Sequence, residues 1–378
     1  MSTKNGECTD HGRDDALLIG AAPLSSPIPM SDRPECGSVS VVIPCYNYGR
    51  YLRKCVDSVL EQHDVEVDVL VIDDCSTDNT AEVGVAVARD PRVSFRRHES
   101  NKGHIATYNE GLEWASGAYT VLLSADDLLA PGALARAVAV LDTNADVGMV
   151  YGRAVRFETE PPVLARGAYQ VQVWKGADWI AKRCRTATCT IASPEVTVRT
   201  SLYKALGGYR PDLPHTADLE MWLRIASHAG VAYVRGADQA FYRVHAASMS
   251  RTAFSASIHD LQGRKGSFDA LFEGMADPLP NGPSLRARAN RALARDALWR
   301  ACRAFDRRRL DAVGVDELEQ FAKETYPGAT RLREYHGLRL RRRLGPRWSP
   351  WVQFALPSVY LHRVRDWLWW RRLSRSGV

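Results

Sequence analysis

Two adjacent carboxylates, Asp126 and Asp127, follow an apolar run that extends through Ala118–Leu123. Two acidic side chains at the exit of a buried strand are costly to place unless a positive charge offsets them. A divalent cation would do so, because hard cations prefer carboxylate oxygens as ligands. The alternative is structural, since an Asp ahead of Pro131 and the Ala-rich stretch Ala133–Val140 could cap a helix. The pair by itself leaves both interpretations open.

Strand and helix patterns alternate around this pair. The predicted strands are Val39–Ile43, Val65–Ile72, Val93–Arg97, Ala118–Leu123 and Val147–Val150, and the predicted helices are 51–60, 77–88, 105–115 and 133–141. This alternation predicts βαβ units, and so an α/β fold with a Rossmann-like, mostly parallel sheet flanked by helices. Farther along, the patterns predict strands at Glu195–Val198, Val231–Val234 and Ala240–Val244, and a helix at Thr216–Ala229.

Polar groups stand where three of the predicted strands end, at Pro44–Asn47, Asp73–Asp74 and Asp126–Asp127. Ligands of open α/β sheets bind outside the carboxyl ends of the strands, so these groups should share one edge. No Gly-x-Gly-x-x-Gly follows the first strand, and no Gly-x-x-x-x-Gly-Lys-Ser/Thr occurs in the chain. Both absences argue against a dinucleotide oxidoreductase and a P-loop NTPase.

Six motifs in order resemble those of family 2 glycosyltransferases with the GT-A fold. They are Val39–Tyr48 (VSVVIPCYNY), Ile72–Asp78 (IDDCSTD), Asn101–Gly103 with Asn109–Gly111, Ser124–Asp127 (SADD), Ala217–Arg224 (ADLEMWLR) and Tyr242–Ser250 (YRVHAASMS). The resemblance covers residues 38–250. It implies an inverting, metal-dependent enzyme that moves a sugar from a nucleotide-diphosphate sugar to an acceptor hydroxyl, in bacterial glycan, glycolipid or glycosylated metabolite synthesis. The implied donor is UDP-linked.

The resemblance also implies roles for individual residues. Asp126, Asp127 and His245 would hold Mn²⁺ or Mg²⁺, which neutralises the leaving diphosphate. Asp218 would be the general base that takes the proton of the acceptor hydroxyl, although an acid in the first turn of a helix is also favoured by the helix dipole. Nucleotide-sugar binding is assigned to Pro44, Tyr46, Asn47, Asp73, Asp74, Lys102, Gly103, Ser124, Asp126, Arg243, Ser248 and Ser250.

Two positions depart from the family pattern. The first acid of the metal motif is Ser124, and the Glu that precedes the catalytic Asp is Ala217. The first change weakens the nucleotide assignment, and the second puts the orientation of Asp218 in doubt. Two alternatives therefore stay open: a non-catalytic scaffold or binding protein with the same fold, and a nucleotidyltransferase.

The end of the chain differs from the rest in charge. Residues 331–378 contain twelve Arg, no Lys and two acids, a net charge of 12 − 2 = +10 in a chain whose total is +6. The same residues contain five of the ten Trp. A basic segment rich in Trp suits an anionic membrane surface, which we assign to 338–373; a helix packed on the catalytic domain is the alternative. No nucleic-acid-binding module is visible.

The whole chain divides into four predicted parts. These are a disordered leader (1–37), the GT-A domain (38–250), a helical extension (251–330) and the basic Trp-rich tail (331–378). No apolar stretch is long enough to span a membrane, and the cysteines form no CxxC pair. These features predict a cytoplasmic protein, with peripheral attachment to the inner face of the membrane as the open alternative. The further partners implied are the nucleotide sugar and a glycan, lipid-linked or small-molecule acceptor.

Overall fold

The computed structural model describes residues 18–19, 37–162, 168–245, 258–274, 279, 281–308, 314–355 and 377. Within these ranges no helix is both long and apolar enough to cross a membrane. Ser248, Ser250, most of the tail beyond residue 355 and all of the predicted leader except Leu18, Ile19 and Gly37 lie outside the described residues. Within the leader, Leu18 and Ile19 form a short strand, where disorder was expected.

Ten strands form one mixed sheet. They are β1 (Leu18–Ile19), β2 (Ser38–Cys45), β3 (Glu66–Asp73), β4 (Val93–Arg97), β5 (Tyr119–Leu122), β6 (Leu128–Leu129), β7 (Val147–Phe157), β8 (Gln170–Trp174), β9 (Val196–Arg199) and β10 (Gly230–Arg243). Their order is β1-β8-β10-β7-β9-β5-β2-β3-β4, and β6 pairs with β10. The α/β, mostly parallel sheet expected from the sequence is confirmed.

The direction of the strands decides where the site is. Strands β4, β3, β2 and β5 run parallel to one another. Strand β9 is antiparallel to both β5 and β7, and β10 is parallel to β7. Two reversals restore the original direction, so the carboxyl ends of β2, β3, β5 and β10 lie at the same edge of the sheet.

Helices cover both faces of this sheet. They are α1 (Gly49–Leu60), α2 (Thr80–Val87), α3 (His104–Trp114), α4 (Ala133–Thr143), α5 (Gly176–Arg183), α6 (Thr200–Leu206) and α7 (Ala217–His228). Strand β2 shows why its sequence is apolar throughout: Val41 and Ile43 face one core while Val42 faces the other. A strand buried on both faces has no polar side to alternate with.

Strand β10 differs from its prediction. Two strands with a polar gap were expected, but Gly230–Arg243 is one strand that pairs with β7 through several register shifts. Such irregularities let exposed residues such as Arg235 and Gly236 stay within a continuous strand. The continuity carries the chain from the far edge of the sheet to Arg243, and so brings His245 to the site.

Four further helices form the C-terminal extension: α8 (Ile258–Glu273), α9 (Gly282–Asp306), α10 (Val315–Thr325) and α11 (Arg333–Ala355). Helix α8 is tied to the catalytic part, because Ser267 donates a hydrogen bond to Thr216, which directly precedes α7. Its buried Arg264 donates to the carbonyl of Ala187 and to Asp296 of α9. The helical extension expected from the sequence is confirmed.

Candidate active site

The polar residues predicted to share one edge of the sheet do so. Strand β2 ends at Cys45, β3 at Asp73, β5 at Leu122 and β10 at Arg243. The loops after these strands carry the predicted site residues, because strands that run in the same direction place their C-terminal loops at one edge.

Asp126 and His245 meet at this edge. Nε2 of His245 lies 3.0 Å from Oδ2 of Asp126, and the rings of Tyr48 and Tyr51 flank the imidazole with centroid distances of 5.5 Å each. Two neighbouring ligands of one octahedral cation, each about 2.1–2.2 Å from it, stand roughly 3 Å apart. In this structure the contact is a hydrogen bond, and the same spacing is compatible with a divalent cation held by both atoms.

Asp127 is placed differently. Its side chain is buried, and Oδ1 accepts a hydrogen bond of 2.8 Å from the backbone N–H of Arg243. Burial, and then the charge of Asp126, raise the pKa of the Asp127 carboxyl well above its usual range. The structure thus shows Asp127 joining the end of β5 to the end of β10. Among the described residues no group of three or more His, Cys, Asp or Glu is arranged to hold a metal ion.

Arg243 is buried as well, and the bonds that the structure shows for its side chain go to the backbone. Nε donates to the carbonyl of Asp126, and Nη1 donates to the carbonyls of Glu158 and Thr159. Its guanidinium lies over the rings of Tyr51 and Phe157, at 4.5 and 4.3 Å from their centroids. These contacts hold the loop that carries Asp126, whereas the sequence prediction gave Arg243 a contact to the diphosphate.

Asp74 lies in a dense hydrogen-bond network. Oδ1 accepts the backbone N–H of Lys102 at 2.7 Å, and Oδ2 accepts that of Gly103 at 2.9 Å. Gly103 has a φ of +84°, a conformation that favours glycine. Nδ1 of His98 is 2.7 Å from Oδ1. Burial alone would raise the pKa of Asp74, but the hydrogen bonds from His98, Lys102 and Gly103 lower it below its usual value.

The other predicted nucleotide contacts fall into two groups. Tyr46 is exposed at the edge, while Pro44 and Ser124 are half-buried there. Asn47 accepts a hydrogen bond from the backbone N–H of Thr77, so its amide links the loops after β2 and β3. Asp73 is fully buried and accepts the N–H of Ser76. The first group borders the open space at the edge, and the second supports the loops that form it.

Asp218 lies in the first turn of α7. Its Oδ2 accepts a hydrogen bond of 2.8 Å from the hydroxyl of Ser193. Burial raises the pKa of this carboxyl, and the bond from Ser193 acts in the opposite direction. Ser193 sits in a short 3₁₀ turn with Glu195, whose Oε1 accepts the backbone N–H of Ala192. Burial also raises the pKa of Glu195, to about 8.

Tyr108 connects the two acidic positions. Burial raises the pKa of its hydroxyl, and the charges of Asp218, Asp126 and Asp127 raise it further. Tyr108 is therefore within electrostatic range of all three carboxylates. The proposed base and the proposed cation ligands belong to one region of the protein, the candidate active site.

Sequence reasoning did not identify two of these residues as parts of the site. His98 bridges Asp74 and Glu110, since its Nε2 is 2.9 Å from Oε2 of Glu110, but a lone histidine after a strand gives no signal. No motif marks Ser193, and its contact with Asp218 spans 25 residues. Both contacts depend on the tertiary fold.

Parts of the chain match a protein family and several known proteins. Residues 40–188 match the family model "Glycosyl transferase family 2". An uncharacterised protein of Mycobacterium tuberculosis is 28% identical over 295 residues, which cover 71% of this chain and 83% of that protein. Glycosyltransferase GlyG of Streptococcus pneumoniae is 36% identical over 92 residues, or 24% of this chain. The match spans only 31% of GlyG.

Two solved structures share the fold. S. aureus TarS 1–349, in complex with UDP-GlcNAc, superimposes with a TM-score of 0.57 at 16% identity, covering 81% of this chain and 91% of TarS. The mannosyltransferase PcManGT from Pyrobaculum calidifontis, in complex with GDP-Man and Mn²⁺, gives a TM-score of 0.50 at 19% identity, covering 87% of each chain. At such identities the likeness establishes the fold. The chain therefore shares its fold with these two glycosyltransferases, and residues 40–188 match the model of glycosyl transferase family 2.

Proposed function

We propose that this protein is an inverting, metal-dependent glycosyltransferase that moves a sugar from a UDP-linked donor to an acceptor hydroxyl. The observation that carries the proposal is the 3.0 Å contact between Asp126 and His245 at the edge where the strands end. The proposed base Asp218 is within electrostatic range of Tyr108, as Asp126 is. A single displacement requires the donor diphosphate and the acceptor hydroxyl on opposite sides of the anomeric carbon, and we propose that these two groups of residues hold them there.

Asp126 and His245 would hold Mn²⁺ or Mg²⁺, which supplies charge neutralisation for the departing diphosphate. The donor set of one carboxylate oxygen and one imidazole nitrogen is chemically suited to either ion. Asp127 and Arg243 fix the loop around Asp126 through the bond between the Arg243 N–H and Oδ1 of Asp127. TarS, with the same fold, binds UDP-GlcNAc, and PcManGT binds GDP-Man with Mn²⁺.

Asp74 is proposed to face the nucleobase at the end of β3. Its pKa lies below the usual range, so it is a carboxylate at neutral pH and accepts hydrogen bonds only. A uracil ring offers such a carboxylate its imide N–H, which supports a UDP-linked donor. Tyr46 and Pro44 are proposed to flank the ring, since both border the open edge.

Asp218 is proposed to take the proton of the acceptor hydroxyl as that oxygen attacks. Its raised pKa suits a base, because a carboxylate with a higher proton affinity removes a proton more readily. Ser193 donates a hydrogen bond to Oδ2, and the hydroxyl of Tyr209 also interacts with this carboxyl and lowers its pKa. We infer that Ser193 supplies the orientation that the family's Glu would give at the position of Ala217.

Calorimetric titration of UDP with and without Mn²⁺ tests the proposal. We expect UDP binding that depends on the metal in the wild type and in Asp218→Asn, and sugar transfer only in the wild type. Absence of UDP binding would instead support the non-catalytic scaffold, and preferential triphosphate binding with pyrophosphate release would support a nucleotidyltransferase. Transfer at the wild-type rate by Asp218→Asn would remove Asp218 from its role. A screen of nucleotide sugars for metal-dependent hydrolysis identifies the donor.

A further inference from the structure

Helix α11 exposes an unusual group of apolar side chains. Of the five large hydrophobic residues exposed in the described part of the chain, three lie within nine positions of this helix: Leu340 at 39%, Leu344 at 39% and Trp348 at 58%. The helix bends at Gly345, where φ is +71°. Pro346 and Trp348, which follow the bend, are both exposed.

Arginines are interleaved with these apolar residues. Arg339, Arg343 and Arg347 are all exposed, and the guanidinium of Arg347 lies 5.6 Å from the ring centroid of Trp348. We name the exposed surface formed by the side chains of Arg339, Leu340, Arg343, Leu344, Arg347 and Trp348 the α11 patch. Within the described ranges no acid lies within ion-pair distance of the three arginines. Arg342, by contrast, is paired with Asp316 and Glu319 of α10.

The opposite side of α11 already anchors the helix. Leu338 is fully buried, Arg341 forms a bidentate ion pair with Asp306 of α9, and Ser349 donates a hydrogen bond to the carbonyl of Phe305. Packing against α9 therefore explains the buried side of α11 and leaves its exposed side unexplained. The α11 patch faces away from these contacts, and exposed apolar residues in such a cluster mark an interaction surface.

We propose that the α11 patch docks the enzyme on an anionic phospholipid surface. Arginine donates bidentate hydrogen bonds to phosphate groups, while Trp and Leu insert into the boundary between headgroups and acyl chains. The alternation of the two residue types along one short segment gives both interactions at the same depth. The sequence continues this composition beyond the patch, with four more Trp and five more Arg from residue 350 onward.

The distribution of charge favours a membrane over a nucleic acid. Residues 331–378 carry a net charge of +10, and the remaining residues carry 6 − 10 = −4. A nucleic acid long enough to pass beyond the patch would be repelled by the acidic body, whereas a planar lipid surface meets the patch alone. This inference is independent of the proposed function, because it uses no residue of the candidate active site.

Co-sedimentation of the full chain with vesicles tests the inference. Vesicles of phosphatidylcholine alone are compared with vesicles of phosphatidylcholine and phosphatidylglycerol, at low and high salt. The wild type is expected to bind the anionic vesicles, and to lose that binding as salt rises. Arg343→Gln/Arg347→Gln and Leu344→Ser/Trp348→Ser are each expected to weaken it about tenfold or more.

Matched controls separate docking from general effects of charge and hydrophobicity. Arg89→Gln/Arg235→Gln removes the same charge from exposed positions elsewhere, and Val85→Ser removes an exposed apolar side chain from α2. Both controls should bind anionic vesicles as the wild type does. Unchanged binding by both patch variants, equal losses in the controls, or wild-type binding to an RNA oligonucleotide but not to vesicles would overturn the inference. Titration of every variant with UDP reports separately on nucleotide binding at the candidate active site.

Discussion

Removal of the Ser193 hydroxyl tests how this side chain affects the pKa of Asp218, the proposed base. In the wild type that hydroxyl donates a 2.8 Å hydrogen bond to Oδ2 of Asp218. A hydrogen bond to a charged group contributes about 1.5–3 kcal/mol when it is buried. Asp218 is partly accessible, so water replaces some of the lost interaction, and about 1 kcal/mol is a reasonable net value.

Ser193→Ala should therefore raise the pKa of Asp218 above its already raised value. A general base acts when deprotonated, so the rate falls as the pH drops through this pKa, and the fall begins at a higher pH in the variant. On the acid side kcat/KM should be about fivefold lower than in the wild type, which corresponds to about 1 kcal/mol. At alkaline pH, Asp218 is ionised in the wild type and in the variant, so their values of kcat/KM should converge.

The assay is nucleotide release from the donor found in the screen, measured as kcat/KM across pH. Ser193→Thr keeps a hydroxyl and should keep the wild-type profile. Thr190→Ala removes a nearby hydroxyl that accepts from Arg183 and does not contact Asp218, so it serves as the matched control. The reasoning is refuted if Ser193→Ala shows the wild-type profile, or if its rate is reduced equally at every pH.

Three further predictions concern other parts of the chain. His245→Ala should weaken Mn²⁺-dependent UDP binding in calorimetry while leaving metal-free binding unchanged, and an unaltered metal dependence would contradict the ligand assignment. His98→Leu removes one hydrogen-bond partner of the Asp74 carboxylate and should lower the affinity for UDP about tenfold. Wild-type affinity would show that this network does not position Asp74 for the nucleobase. Arg341→Ala leaves Asp306 buried without its bidentate partner and should lower the free energy of unfolding by about 3 kcal/mol in urea titrations, whereas the exposed Arg339→Ala should change it little.

Much of the fold could be predicted because buried strands and amphipathic helices leave periodic signals. The predicted strand Val93–Arg97 agrees with β4 at both ends, and the predicted helix 51–60 differs from α1 only at its start. Predictions were poorer where burial was uneven. Strand β7 continues to Phe157 through a segment of alternating exposure, and the helix expected from Thr77 begins at Thr80, after the Asp78 carboxylate has bonded Gly49 and Thr80.

The sequence by itself indicated a resemblance to family 2 glycosyltransferases, the edge of the sheet where the polar strand ends meet, and the candidacy of Asp126, His245 and Asp218. It could do so because strand exits and short motifs are local features, and their order along the chain fixes which edge they reach. Only the tertiary structure decided how these groups are arranged. It turned Asp127 toward the backbone of Arg243 and placed Ser193 on Asp218. Such contacts join residues far apart in the chain, and neither periodicity nor spacing records which side chains packing will bring together.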